Sequence, residues 1–175
     1  MTAERAPGAS ERPGTQEPMA CEAVEQFLRQ PNVAVLSWVT PKGDVASSPI
    51  WYEYRDGKFS LATSSAFLKA RSMVKNPAVS LCVQDPAPPY RYVTIRATAR
   101  VHADPEAARA LDARLARHYL GRIGGRYYTA TVSPTAPGEG RLVELTPTRV
   151  SSFDGGAGIN PVALMAMRAI RAVGL

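Results

Sequence analysis

The chain has 175 residues, of which 45% are hydrophobic and 21% charged, enough for one domain with a buried core. Its 21 Lys and Arg against 15 Asp and Glu leave a net charge of +6, but the cations are dispersed and form no nucleic-acid-binding motif. The apolar stretch 161–175 is shorter than the roughly 20 residues a membrane span needs, and Arg168 and Arg171 interrupt it.

Residues 1–20 are rich in Pro, Gly and small polar residues without apolar periodicity, and read as a disordered arm with no secretory signal. Val24, Phe27 and Leu28 give 22–30 the spacing of a short amphipathic helix, ended by Pro31-Asn32. The pattern then changes to strands. Residues 33–40, 45–54 and 59–63 are apolar or alternating, and the turns Pro41-Lys42-Gly43-Asp44 and Arg55-Asp56-Gly57-Lys58 separate them. Connections this short predict an antiparallel meander. A short helix is expected over 66–75, a fourth strand over 78–84, a rigid proline loop over 85–89 and a long fifth strand over 90–103.

Asp104-Pro105-Glu106 combines an N-cap, a proline at the first helical position and a first-turn acid. The helix it opens should carry Ala108, Leu111, Leu115 and Tyr119 inward and stop at Gly121. Residues 121–140, with Gly124-Gly125, Pro134, Pro137 and Gly138, read as a flexible connection or a lid. A sixth strand over 141–153 precedes a Gly-rich link and a short C-terminal helix in 155–175. The expectation is a mainly β (α+β) domain over 21–154. It would be a closed or nearly closed six-stranded antiparallel barrel with peripheral helices; a sandwich is the alternative.

The stretch Ser64-Ser65-Ala66-Phe67-Leu68-Lys69-Ala70-Arg71 carries the chemistry. It places hydroxyls, free backbone N–H groups and two cations where a strand should end and a helix begin, an arrangement suited to a phosphate. An anionic small molecule is therefore the preferred partner for the positive charge, with nucleic acid and a membrane surface set aside. Lys75 reads as a solvated charge, and strand-surface Arg91 and Arg96 are weaker candidates for an acidic cofactor tail. Trp38 and Trp51 are expected to pack, whereas Tyr90, after two prolines, is placed to touch a ring.

Other chemistries lack their residues. His102 and His118 have no metal-ligand companions, and Cys21 and Cys82 allow at most one disulfide. Cys82 reads as a buried inert thiol, and the chain as cytoplasmic. No Gly-x-Ser-x-Gly elbow, Rossmann glycine pattern or Walker sequence is present. Hydride transfer asks little of side-chain acid–base chemistry, since the reactive carbon belongs to a cofactor. A proton donor beside the substrate could be Tyr127, Tyr128 or His118, and no catalytic residue is assigned.

The runs Val33-Ala34-Val35-Leu36-Ser37-Trp38-Val39-Thr40 and Ser47-Ser48-Pro49-Ile50-Trp51-Tyr52 resemble the opening hairpin of the pyridoxamine-phosphate-oxidase-like split β-barrel family. Lys69-Ala70-Arg71 with Asn76-Pro77 is similar to that family's phosphate-binding element. Pro89-Tyr90-Arg91-Tyr92-Val93-Thr94-Ile95-Arg96, Leu115-Ala116-Arg117-His118-Tyr119-Leu120-Gly121 and Arg141-Leu142-Val143-Glu144-Leu145-Thr146-Pro147 resemble the branch that uses coenzyme F420, a deazaflavin hydride carrier.

The resemblance implies a homodimer with cofactor sites at the subunit interface. Ser48, Pro49 and Ile50 would line the ring, and Thr63 and Ser64 would bond its polar edge or the ribityl chain. Lys69, Ala70 and Arg71 would form the phosphate element, and Tyr90 would contact the cofactor. The implied activity is hydride transfer from reduced F420 to an unsaturated small-molecule acceptor. The alternatives are an FMN-dependent oxidase or reductase, or a non-catalytic protein that binds a flavin-like or haem-like ligand.

Overall fold

Alternation of buried and exposed side chains organises the chain into one antiparallel sheet. The computed structural model describes residues 19–131, 138–160, 162, 163 and 165. The disordered arm expected over 1–20 and the C-terminal helix therefore lie almost wholly outside the described residues. The elements are α1 (Cys21–Leu28), β1 (Ala34–Val39), β2 (Val45–Ile50), β3 (Glu53–Arg55), β4 (Lys58–Ser64), α2 (Leu68–Lys75) and β5 (Ala78–Gln84). They are followed by β6 (Arg91–His102), α3 (Pro105–Thr131) and β7 (Gly140–Asp154).

The sheet order is β2-β1-β5-β6-β7-β4-β3. Its first and last strands are consecutive in the chain, joined only through Trp51 and Tyr52, so the sheet curls until its two margins meet. The result is a split barrel, mainly β with attached helices. Leu36 of β1, Leu61 of β4, Leu81 of β5, Ile95 of β6 and Leu145 of β7 fill the interior. Burying side chains of this kind contributes about 1.5–3 kcal/mol each before chain entropy is counted. Tyr52, Phe59 and Phe27 of α1 add the largest fully buried side chains to the same core, and Trp38 packs with them.

Two expectations change. The single strand expected over 45–54 is divided, giving seven strands rather than six. Tyr52 leaves the ladder because its backbone is held by a side chain: its N–H donates to the Tyr119 hydroxyl at 3.3 Å. The hairpins on either side survive, with Val39 opposite Val45 and Arg55 opposite Lys58. They do not continue as a meander, because β4 pairs with β7 instead of β2.

The second change concerns the connection expected over 121–140: residues 122–131 are helical, and 132–137 lie outside the described residues. The helix does break where expected, at Gly121, whose φ of 73° is a left-handed conformation suited to glycine. A second helical segment then folds back on the first. Gly125 makes the crossing possible: a Cβ there would lie 2.8 Å from the Arg117 backbone. The Gly-Gly pair thus serves close packing. At the other end of α3, Asp104 is the expected cap, accepting the Ala107 N–H at 2.9 Å. Among the described residues, no helix is long and apolar enough to cross a membrane.

Candidate functional site

The seam between β2 and β3 opens into a cleft of about 160 Å³. Pro49, Ile50 and Trp51 come from the end of β2, Ala62, Thr63 and Ser64 from the end of β4, and Phe67 and Lys69 from the start of α2. Asp112, Leu115 and Tyr128 close it from α3. Pairing fixes this convergence: Thr63 and Ser64 sit opposite Arg141 and Gly140 at the start of β7, directly beneath α3.

Lys69 is the cleft's cation. Its Nζ donates to Ser48 Oγ at 3.4 Å and stands 5.5 Å from the centre of the Phe67 ring. Half-burial lowers its pKa, since desolvation disfavours the ammonium. No carboxylate among the described residues forms an ion pair with it. Beside it, the Thr63 hydroxyl is buried and has no hydrogen-bond partner among the described residues. A desolvated ammonium and an unsatisfied hydroxyl are the kind of donors an anionic ligand would satisfy.

Ser64 is differently placed. Its hydroxyl accepts the Ala66 N–H at 3.1 Å and donates to Glu139 Oε2 at 2.9 Å. The next backbone N–H, of Ser65, donates to the Glu139 carbonyl at 2.9 Å. Two donors read from the sequence as open to a phosphate are thus already engaged.

The structure brings Pro49, Ile50, Thr63, Ser64 and Lys69 together on the cleft wall, with Ser48 reaching it through Lys69. Ala70 is buried and Arg71 exposed, because the residues one and two positions after Lys69 on the helix do not share its face. Tyr90, 58% exposed, lies before the first residue of β6, whereas Thr63 and Ser64 pair beyond the register of its last, His102. Tyr90 does not line the cleft of its own chain.

Among the three proton-donor candidates only Tyr128 faces the cleft. Burial raises its pKa, and the charge of Asp112 adds to the effect. Tyr127 is exposed, and His118 lines a separate 330 Å³ cavity with Arg114 and Glu53. His102 pairs with Glu144 at 2.9 Å.

Sequence reasoning missed Asp112, Glu139 and the cleft-facing side of Trp51, and did not place the inward Leu115 at the cleft. Trp51 does pack as expected, stacked on Tyr119 and tilted against Tyr128. Leu115 and Tyr119 were legible as inward helix positions. Nothing in the local sequence links Glu139 to a serine 75 positions earlier.

A curled antiparallel sheet with a cleft at the joined margins, floored by strand ends and edged by a helix start, defines a split β-barrel of the flavin-binding type. The chain belongs to the pyridoxamine 5′-phosphate oxidase family, whose sequence profile matches residues 21–154. Among solved structures, an F420 reductase is 26% identical, with a TM-score of 0.60, covering 73% of this chain and 94% of that one. A conserved hypothetical protein from Mycobacterium tuberculosis is 19% identical with a TM-score of 0.66, covering 83% of this chain and 91% of that one. The haem storage protein HutZ of Vibrio cholerae shares the fold at 17% identity and a TM-score of 0.54, covering 77% and 93% respectively. No curated protein matches the sequence.

Proposed function

We propose that this protein is a reductase that moves hydride from reduced coenzyme F420 to an unsaturated small-molecule acceptor. The observation that carries the reading is Lys69, a desolvated cation with no ion pair to a described carboxylate, on the wall of a cleft beside the buried Thr63 hydroxyl, which has no described hydrogen-bond partner. The 26% identity with an F420 reductase supports the choice of cofactor. FMN is the alternative, and its ring and phosphate would use the same wall.

Lys69 would hold the phosphate, Thr63 a polar group near it, and Pro49, Ile50 and Trp51 the ring face. When bound, the deazaflavin would supply the hydride. The chain's own contribution is placement, exclusion of water by Trp51 and Leu115, and a proton held on the raised-pKa hydroxyl of Tyr128. A homodimer belongs to the same proposal. Val35 and Val45 stand 38% and 75% exposed on the outer sheet surface. In such a dimer Tyr90, which does not line the cleft of its own chain, would be offered to the partner's cleft.

The test is a fluorescence titration of the purified protein with F420 and with FMN, followed by turnover of reduced F420 with enone and quinone acceptors. Quenching of the deazaflavin and acceptor-dependent oxidation are expected. Binding of FMN alone would move the assignment to the flavin branch. Tight binding without turnover by any acceptor would make this a storage or carrier protein.

A further inference from the structure

Glu139 stands directly behind the cleft wall: its carboxylate accepts from the wall residue Ser64 and forms no ion pair with a described cation. Its position is held by the chain. Gly140 pairs with Ser64 and packs so closely under α3 that a Cβ would lie 3.0 Å from Pro105 Cα. Arg141 Nη1 donates to the Gly138 and Gly140 carbonyls at 3.2 and 2.8 Å, holding the backbone on both sides of Glu139. From this fixed point Glu139 takes both the Ser64 O–H and the Ser65 N–H, each at 2.9 Å.

We infer that Glu139 is a specificity residue that selects a phosphodiester over a phosphomonoester at this end of the cleft. The inference rests on the cofactor site proposed above. Glu139 Oε2 is 2.9 Å from the Ser64 hydroxyl of the cleft wall, so a phosphate held by Lys69 at the Ser64 end would sit close to its charge, in a cleft that Asp112 also lines. Repulsion from that carboxylate scales with the ligand's charge. A phosphomonoester carries about −1.5 to −2 near neutral pH, and a phosphodiester a single charge. With one cation on the cleft wall, the second charge of a monoester meets a carboxylate instead of a partner. The engaged hydroxyl of Ser64 acts in the same direction, because it can donate to a ligand only by giving up Glu139.

Glu139→Gln keeps an acceptor for Ser64 and removes the charge. Titrations of wild type and E139Q with FMN, F420 and riboflavin test the role, riboflavin being the ring without phosphate. The expected result is a gain of about tenfold in FMN affinity, a clearly smaller gain for F420 and no change for riboflavin. Unfolding midpoints of the two proteins should agree. Equal gains for FMN and F420, or the same gain for riboflavin, would overturn charge selection. Failure of the underlying site looks different: neither phosphate ligand binds wild type and E139Q restores neither, which removes the site and this role together.

Discussion

The Trp51 indole lies flat on the Tyr119 ring, 12° from parallel with 5.1 Å between their centres, at the place where the barrel's margins join. The same tyrosine serves the backbone next to that indole. Its hydroxyl accepts the Tyr52 N–H and donates toward the Asn32 carbonyl at 3.1 Å, with the Tyr52 carbonyl at 3.4 Å. Tyr119→Phe keeps the stack and strips these bonds from the seam. It should cost about 1–3 kcal/mol, read as a lower urea midpoint. An unchanged midpoint would show that the seam does not depend on this hydroxyl.

Lys69→Met should separate binding from folding. Burial lowers the lysine's pKa, so the folded chain holds its proton less tightly than the unfolded chain does. Stability associated with this group therefore rises with pH through the window below 10.5, and at neutral pH the ammonium opposes folding. The variant is expected to melt no earlier than wild type. It should still lose about 1.5–3 kcal/mol of phosphate-ligand binding, measured by titration.

Alkaline pH should loosen the fold through its tyrosines. Burial pushes Tyr119 up to about 12, and burial together with the Glu25 carboxylate does the same for Tyr54. Tyr52 is raised further, by burial. Unfolded tyrosines ionise near 10.0, so the contribution is complete below that pH and is lost as pH climbs towards 12. Tyrosinate absorbance followed beside circular dichroism should show these groups ionising late, together with unfolding. Ionisation of every tyrosine near its ordinary value, before any loss of structure, would contradict the burial described.

Gly125→Ala should be far more damaging than an ordinary glycine-to-alanine change in a helix. The added methyl would meet Arg117 Cα and N at 2.8 Å, and this backbone cannot move without opening the crossing. A loss of about 1–3 kcal/mol is expected, with helix content falling as residues 122–131 detach. Circular dichroism and urea unfolding would measure both. Tyr128 leaves the cleft in the same event, so ligand affinity should fall too.

The strands were legible wherever local alternation decided the outcome. Leu36, Leu81 and Ile95, all buried, lie in segments that the apolar pattern marked as strands. Legibility ended where distant residues take over a local choice. Tyr119 reaches back 67 positions to break a strand at Tyr52, and Gly125 acts against a backbone eight residues earlier. The candidate site shows the same boundary. Thr63 and Lys69 could be read from a strand end and a helix start, while the occupation of Ser64 by Glu139 arises only from pairing of β4 with β7.

The two-residue junction at Trp51-Tyr52 makes the cleft part of the closure of the whole barrel. A ligand seated against Ile50 and Trp51 would work as a clasp on that closure, resisting the same opening motion that begins unfolding. Occupancy and melting temperature should therefore move together, so that a thermal scan across candidate cofactors reads the lock and the key in one experiment.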